Sequence, residues 1–305
     1  MRVDLVFEGG GVLGIGFVGA YEAFYENKFQ IIRAAGTSAG SVIAALICAG
    51  FTPQELREEL ENTDFTMFLK SPPFGNIPII GKVLSLIFSK GLYDGNIIST
   101  WIDSILNKKG IRVFGDLYIN GECPLKVVAA DITNRKLLIL PDDIRFYGKD
   151  PKNLAICKAV QMSCTIPFFF TPVRILNDDY VSYIVDGGLI STFPIWIFEK
   201  TAKPLRPVIG VKIKDDESFT KQGKNNVLSY AYDLITAAIN KDELTYVSSK
   251  DLVRIITIDN PDHLKSTDFK LSKKQIENLY YSGYLATNKY LAEFRLNKYI
   301  KEFML

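Results

Sequence analysis

Gly36-Thr37-Ser38-Ala39-Gly40 stands between a β-branched run, Gln30 to Ala35, and an apolar run of helical character, Ser41 to Ala49. This is the sequence form of a strand that ends in a sharp turn and restarts as a helix, with a serine at the bend. Glycines on both sides leave room for a residue held in a strained turn. The helix that follows brings its free N–H groups and positive dipole end beside the serine, where a developing anion would be stabilised. The spacing predicts a nucleophile elbow, with Ser38 set to attack an acyl group and Gly36 and Gly40 shaping the turn.

Upstream, Glu8-Gly9-Gly10-Gly11-Val12-Leu13-Gly14 follows the strand-like Arg2 to Phe7 and opens a helical stretch, Phe17 to Asn27. Three consecutive glycines leave backbone N–H groups unobstructed, so Gly9, Gly10 and Gly11 suit an oxyanion hole. Gly9, Gly11 and Gly14 also fit Gly-x-Gly-x-x-Gly, the dinucleotide fingerprint. That reading needs an acidic residue near the end of the second strand, and nothing from Asn27 to Gln54 is acidic. No Gly-Lys-Ser/Thr follows, so a Walker A loop is absent. The oxyanion reading is preferred over a nucleotide site, with a plain tight turn as the bland alternative.

A serine hydroxyl needs a group to take its proton. The chain has one histidine, His263, in Asn260-Pro261-Asp262-His263-Leu264, a sequence typical of a surface turn. Its place after Asp186 would formally fit the Ser…Asp…His order of an α/β-hydrolase. In that fold, however, several strands precede the nucleophile, and here only two strand-like runs do. The other candidate is Asp186, at the end of an apolar run and before Gly187 and Gly188. A carboxylate at that position also suits an Asx turn.

Taken in order and spacing, Gly9-Gly10-Gly11-Val12-Leu13-Gly14, Gly36-Thr37-Ser38-Ala39-Gly40 and Asp186-Gly187-Gly188 resemble the patatin-like phospholipases. Ala129-Ala130-Asp131-Ile132, the segment Ser163 to Phe169 and the stretch Phe269 to Tyr290 are similar to further parts of that family. The chain departs from the family pattern at Leu13, where many relatives carry Arg or Lys, and at Ser191-Thr192-Phe193-Pro194. The resemblance implies a three-layer α/β/α fold with a mostly parallel sheet. It also implies a lipid acyl hydrolase with a Ser38–Asp186 dyad and no histidine, its oxyanion hole at Gly9, Gly10 and Gly11. The substrate would be a phospholipid or another acyl ester. An acyltransferase with the same nucleophile, or a lipid-binding protein that has lost turnover, stays open.

Alternating strand-like and helical runs support this architecture independently. Strands are expected at Leu125 to Ala130, Lys136 to Leu140, Pro207 to Ile213 and Val253 to Ile258. Helices are expected from Thr52-Pro53-Gln54-Glu55, a capping box, and at Asp94 to Lys109, Pro151 to Val160 and Val227 to Tyr246. One domain over residues 1–305 accounts for the length. An apolar, proline- and glycine-broken stretch over 63–92, with Lys70, Lys82 and Lys90, reads either as a lid that touches lipid transiently or as an ordinary core loop. Phe168-Phe169-Phe170 is expected near the pocket.

Composition narrows the classes. With 36 basic against 34 acidic residues the net charge is +2, which gives no electrostatic case for nucleic acid. Cys48, Cys123, Cys157 and Cys164 lie in or beside apolar runs without Cys-x-x-Cys spacing; with one histidine, buried free thiols are favoured over a zinc site, and no metal or cofactor is expected. No signal-peptide core and no spanning apolar run are evident, and cytoplasmic residence is the default.

Overall fold

The computed structural model describes residues 1–72, 82, 85–176, 180–199, 205–214, 230, 234, 237–238, 252–293 and 295–303. Strand β1 (Arg2–Phe7) is buried along all but its first residue, as a strand with layers on both faces must be. A 3-10 turn (Gly11–Gly14) leads into α1 (Ile15–Glu26), which returns the chain to β2 (Gln30–Thr37). β2 runs parallel to β1, with Gly36 opposite Phe7. At Ser38 the chain turns into α2 (Ala39–Cys48). The capping box then starts α3 (Pro53–Glu61): Glu55 N–H donates to Thr52 Oγ1 at 3.3 Å, and Thr52 N–H to Glu55 Oε2 at 2.8 Å.

The short strand β3 (Gly91–Tyr93) and helix α4 (Asn96–Leu106) precede a hairpin, β4 (Leu125–Asp131) and β5 (Lys136–Leu140). Helix α5 (Ile156–Cys164) is followed by β6 (Phe168–Phe170), β7 (Val173–Leu176) and β8 (Val181–Asp186). Strands β9 (Val208–Ile213) and β10 (Ile255–Ile258) come next, then α6 (Lys273–Ala292) and α7 (Arg295–Phe303).

The sheet runs β10-β9-β1-β2-β4-β8-β7, with β5 also paired to β4; β3 and β6 form a separate ribbon. From β10 to β4 every pairing is parallel, while β4–β5, β4–β8 and β8–β7 are antiparallel. The fold is the expected three-layer sandwich with a mixed, mostly parallel sheet. Leu5, Phe7, Ala34, Val127 and Val211 pack on one face with Phe17, Phe24, Leu46, Val160 and Leu279 from the helices. The alternate residues Val6, Ala35, Val128 and Val208 face Phe193, Ile195 and Phe198, as the period of two in a strand requires.

The edge of β4 decides where the site forms. β5 fills one edge from Val127 to Asp131, so β2 and β8 must share the other. β2 takes Leu125 to Val128 and β8 takes Ala129 to Asp131. Running in opposite directions, their C-terminal tips meet: Thr37 pairs with Val128, and Asp186 with Ala129.

One expectation changes. The helix expected over Pro151 to Val160 is a 3-10 turn (Pro151–Asn153) and then α5, because Leu154 and Ala155 are extended. Phe114 N–H donates to the Leu154 carbonyl at 3.0 Å and Ile156 N–H to the Arg112 carbonyl at 3.0 Å, long-range bonds that a local pattern does not announce. The helix expected at Val227 to Tyr246 lies almost wholly outside the described residues, as does Phe74 to Gly81 in the apolar stretch.

Candidate active site

Ser38 holds φ 51° and ψ −126°, a backbone conformation that costs an L residue about 1–3 kcal/mol. Hydrogen bonds hold it there. Its N–H donates to Ser163 Oγ at 2.8 Å, and the Ser163 hydroxyl donates in turn to the Val128 carbonyl at 2.6 Å. Its carbonyl accepts the Ser41 N–H at 2.8 Å and the Ser41 hydroxyl at 2.6 Å. The bend is also tight: a Cβ on Gly40 would lie 2.5 Å from the carbonyl oxygens of Phe7 and Glu8, so only glycine fits. Gly36 packs on Gly40 in the same way, and Gly14 lies against Ala39.

Asp186 ends β8 beside it, 2% exposed. Its own N–H donates to the Thr165 carbonyl at 2.8 Å, and its Oδ1 accepts the Gly188 N–H at 2.8 Å. Gly187 rests on the Val128 backbone. Burial drives the Asp186 carboxyl up from 3.8 to about 6, with hydrogen bonding from the Ser38 hydroxyl and the Gly188 N–H opposing that rise. The structure therefore brings Ser38 and Asp186, far apart in sequence, together.

The glycine loop lies directly against the serine, since a side chain on Gly9 would meet the Ser38 Cβ at 3.4 Å. One of the three expected donors is already committed: Gly9 N–H donates to the Thr192 carbonyl at 3.0 Å. The N–H groups of Gly10 and Gly11 have no partner among the described residues. Gly11 takes φ +54°, with the Ser266 carbonyl oxygen where a Cβ would sit. The Ala39 N–H, at the first position of α2 and so one of the free helix N–H groups expected beside the serine, likewise has no partner among the described residues.

His263 stands apart. It is exposed in the turn after β10, its N–H on the Asn260 carbonyl at 3.2 Å, and it does not line the cavity that holds Ser38. That cavity, about 90 Å³, is almost wholly apolar; Val42, Ile98, Phe68, Trp101, Ile166 and Phe170 are among its walls. Phe65 and Phe68 come from the stretch 63–92, so its first part packs over the site. Of the three consecutive phenylalanines, Phe170 walls the cavity, Phe169 is half-buried and Phe168 is exposed. Cys164 also borders the cavity, 3.9 Å from the Ser41 hydroxyl, and burial pushes its thiol well above the usual range. All four cysteines are free.

A family model described as Patatin-like phospholipase matches residues 5–199, which take in the glycine loop, Ser38 and Asp186. The chain belongs to the patatin-like phospholipase family. YqhO, an uncharacterized protein of Bacillus subtilis, is 39% identical over 280 residues, covering 90% of this chain and 93% of YqhO. The probable lipid hydrolase 463L of Invertebrate iridescent virus 6 is 28% identical over 200 residues, 63% of this chain and 61% of that protein. Among solved structures, VipD from Legionella pneumophila shares the fold at a TM-score of 0.58 and 17% identity, over 95% of this chain. The type III effector protein ExoU shares it at 0.50 and 16% identity, over 96% of this chain. The chain spans 66% and 53% of the length of those two solved chains. Membership in the patatin-like family supports lipid acyl hydrolase activity in general terms.

Proposed function

We propose that this protein is a serine acyl hydrolase that cleaves fatty-acyl ester bonds of phospholipids or related lipids, with Ser38 as nucleophile and Asp186 as its base. One observation carries the reading: a buried carboxyl at the tip of β8 meets a hydroxyl on a strained turn at the tip of β2, beside an apolar cavity. A carboxyl with a pKa of about 6 is a stronger base than an ordinary one and is still ionised at neutral pH.

The steps follow from the geometry. Asp186 takes the hydroxyl proton as Ser38 Oγ bonds to the acyl carbon, and the carbonyl oxygen becomes an oxyanion. The N–H groups of Gly10, Gly11 and Ala39 stabilise that charge, a contribution of about 2.7–4 kcal/mol per donor in a measured case. Collapse breaks the ester bond, and Asp186 returns the proton to the leaving alcohol. Water, deprotonated by Asp186, then attacks the acyl-Ser38 ester; the acyl–Oγ bond breaks, Asp186 returns the proton to Ser38 Oγ, and the fatty acid leaves. No helix among the described residues is long and apolar enough to cross a membrane. On this reading the protein works in the cytoplasm and meets the bilayer from its surface, taking the acyl chain into the cavity.

A fluorophosphonate probe tests the assignment. Its phosphorus should become bonded to Ser38 Oγ, seen by mass spectrometry on the peptide that carries Ser38, and Ser38→Ala should take up none. Labelling confined to another residue overturns the reading.

A further inference from the structure

The apolar cavity beside Ser38 is bounded by a cluster of aromatic rings. Phe68 lies 5.3 Å from Trp101, 6.3 Å from Phe65 and 5.9 Å from Phe269, measured between ring centroids. Phe269 stacks on Phe169 at 5.7 Å. Phe65 and Phe269 have a second role in the geometry. Both line the Ser38 cavity, and both also line a separate hollow of about 360 Å³, whose walls include Thr63, Lys270, Ser272 and Lys273. Two buried rings, each 9% exposed, thus stand between a small apolar chamber that Ser38 lines and a larger mixed hollow, walled by exposed residues such as Lys270 and Lys273, that it does not.

We propose that Phe65 and Phe269 are the specificity-determining residues that set acyl-chain length, acting as a partition which a longer chain must displace to reach the second chamber. The proposal rests on the reading that Ser38 holds the acyl carbonyl. A methylene fills ~30 Å³, much as a water does in the liquid, so a 90 Å³ chamber takes a chain of roughly three to four atoms. Up to that length each buried methylene raises kcat/KM about fourfold; beyond it the tail meets the rings and the gain stops. The rings are set firmly. Asp64 accepts the Thr66 N–H at 3.0 Å and the Thr66 hydroxyl at 2.7 Å, which fixes the 3-10 turn that carries Phe65. The Phe269 N–H is bonded to the Thr267 carbonyl at 3.0 Å.

The test is a series of p-nitrophenyl esters from acetate to palmitate. In the wild type, kcat/KM should climb to about butyrate and then level or fall. Phe65→Leu and Phe269→Leu, chosen because Leu keeps the core apolar, should raise the laurate-to-butyrate ratio at least about tenfold. An unchanged ratio in a folded variant overturns the proposal. Binding is read separately in Ser38→Ala with Trp196→Phe, which leaves Trp101, in the cavity wall, as the only tryptophan. Fatty acids brominated at the terminal carbon should quench it up to about butyrate and lose quenching beyond. Phe269→Leu should move that limit to longer chains. Quenching with no length limit overturns the ruler even if the variants fail to fold. A length limit without any ester turnover keeps the ruler and overturns the hydrolase reading.

Discussion

The hydroxyl of Ser163 accepts the backbone N–H of Ser38 at 2.8 Å and donates to the carbonyl of Val128 at 2.6 Å. Val128 is the residue that faces Thr37 across the sheet, so one buried side chain ties α5, β4 and the turn after β2 into a single unit. Ser163→Ala leaves a buried N–H on a strained residue without its acceptor. We expect a loss of about 1–3 kcal/mol in unfolding free energy, and a fall in kcat larger than any rise in KM, because positioning rather than substrate binding is disturbed. Denaturant unfolding and ester kinetics on the same preparation check both parts. A variant with wild-type kcat would show that the clamp does not govern the turn.

Asp186 ties pH to activity and to stability with opposite signs. As the base it must be ionised, so kcat/KM should rise through about pH 6 and level above it. In stability, a carboxyl whose folded pKa is raised binds its proton more tightly when folded. Its contribution is full below 3.8 and is lost as pH rises through about 6. Asp186→Asn keeps an acceptor for the Gly188 N–H and removes the buried charge. It should be inactive yet more stable than wild type near pH 7, by up to about 3 kcal/mol, with the advantage gone below 3.8. Thermal unfolding of both proteins across pH measures it.

Asp131 behaves in the other direction. Burial pushes its carboxyl up, but hydrogen bonds from the Tyr147 hydroxyl, the Asn134 side chain and the N–H groups of Asn134 and Thr133 outweigh burial and hold it below 3.8. A lowered folded pKa contributes stability that is present above 3.8 and lost as pH falls through the folded value. Asp131→Ala should cost about 2–3 kcal/mol at neutral pH, and its deficit against wild type should narrow in acid. A deficit independent of pH would assign the loss to packing at the β4–β5 hairpin instead of to charge.

The ribbon of β3 and β6 joins the cavity to the surface. Phe170 walls the cavity, while Phe168 is 50% exposed and Ile87, just before β3, is 62% exposed. Lys82 and Lys90, near Ile87 in sequence, are exposed as well. If this face meets the bilayer, the double variant Ile87→Asp, Phe168→Asp should hydrolyse lipid in anionic vesicles about tenfold more slowly, since two apolar side chains no longer enter the interface. Turnover of a soluble ester should stay within about twofold. Equal losses on both substrates would place the defect in the site, away from any membrane.

The parallel half of the fold was legible because β1, α1, β2 and α2 are each local: alternation, glycine turns and a capping box are written within short windows of sequence. The antiparallel edge was not. β7 is short, and nothing local to Asp186 states that β8 pairs with Ala129 rather than continuing the parallel order. Ser38 and Asp186 stood out as residues because their turns are rich in glycine; their convergence is a property of β4, which offers one edge to two strands. Gly9 shows the reverse limit. Its N–H looks as available in sequence as those of Gly10 and Gly11, and only the approach of Thr192 commits it. Ser163 entered only as the first residue of a segment similar to the family; its clamp on Ser38 was not legible, since a serine inside α5 reads as an ordinary helix residue until α5 is seen beneath the turn.

The most direct measurement is turnover of a soluble acyl ester by Asp186→Asn, set against wild type, Ser38→Ala and His263→Ala at matched folding. We predict that Asp186→Asn and Ser38→Ala each fall by at least about 100-fold, while His263→Ala keeps wild-type turnover. Retained activity in Asp186→Asn together with a collapse in His263→Ala would contradict a carboxylate acting on the Ser38 hydroxyl without an imidazole.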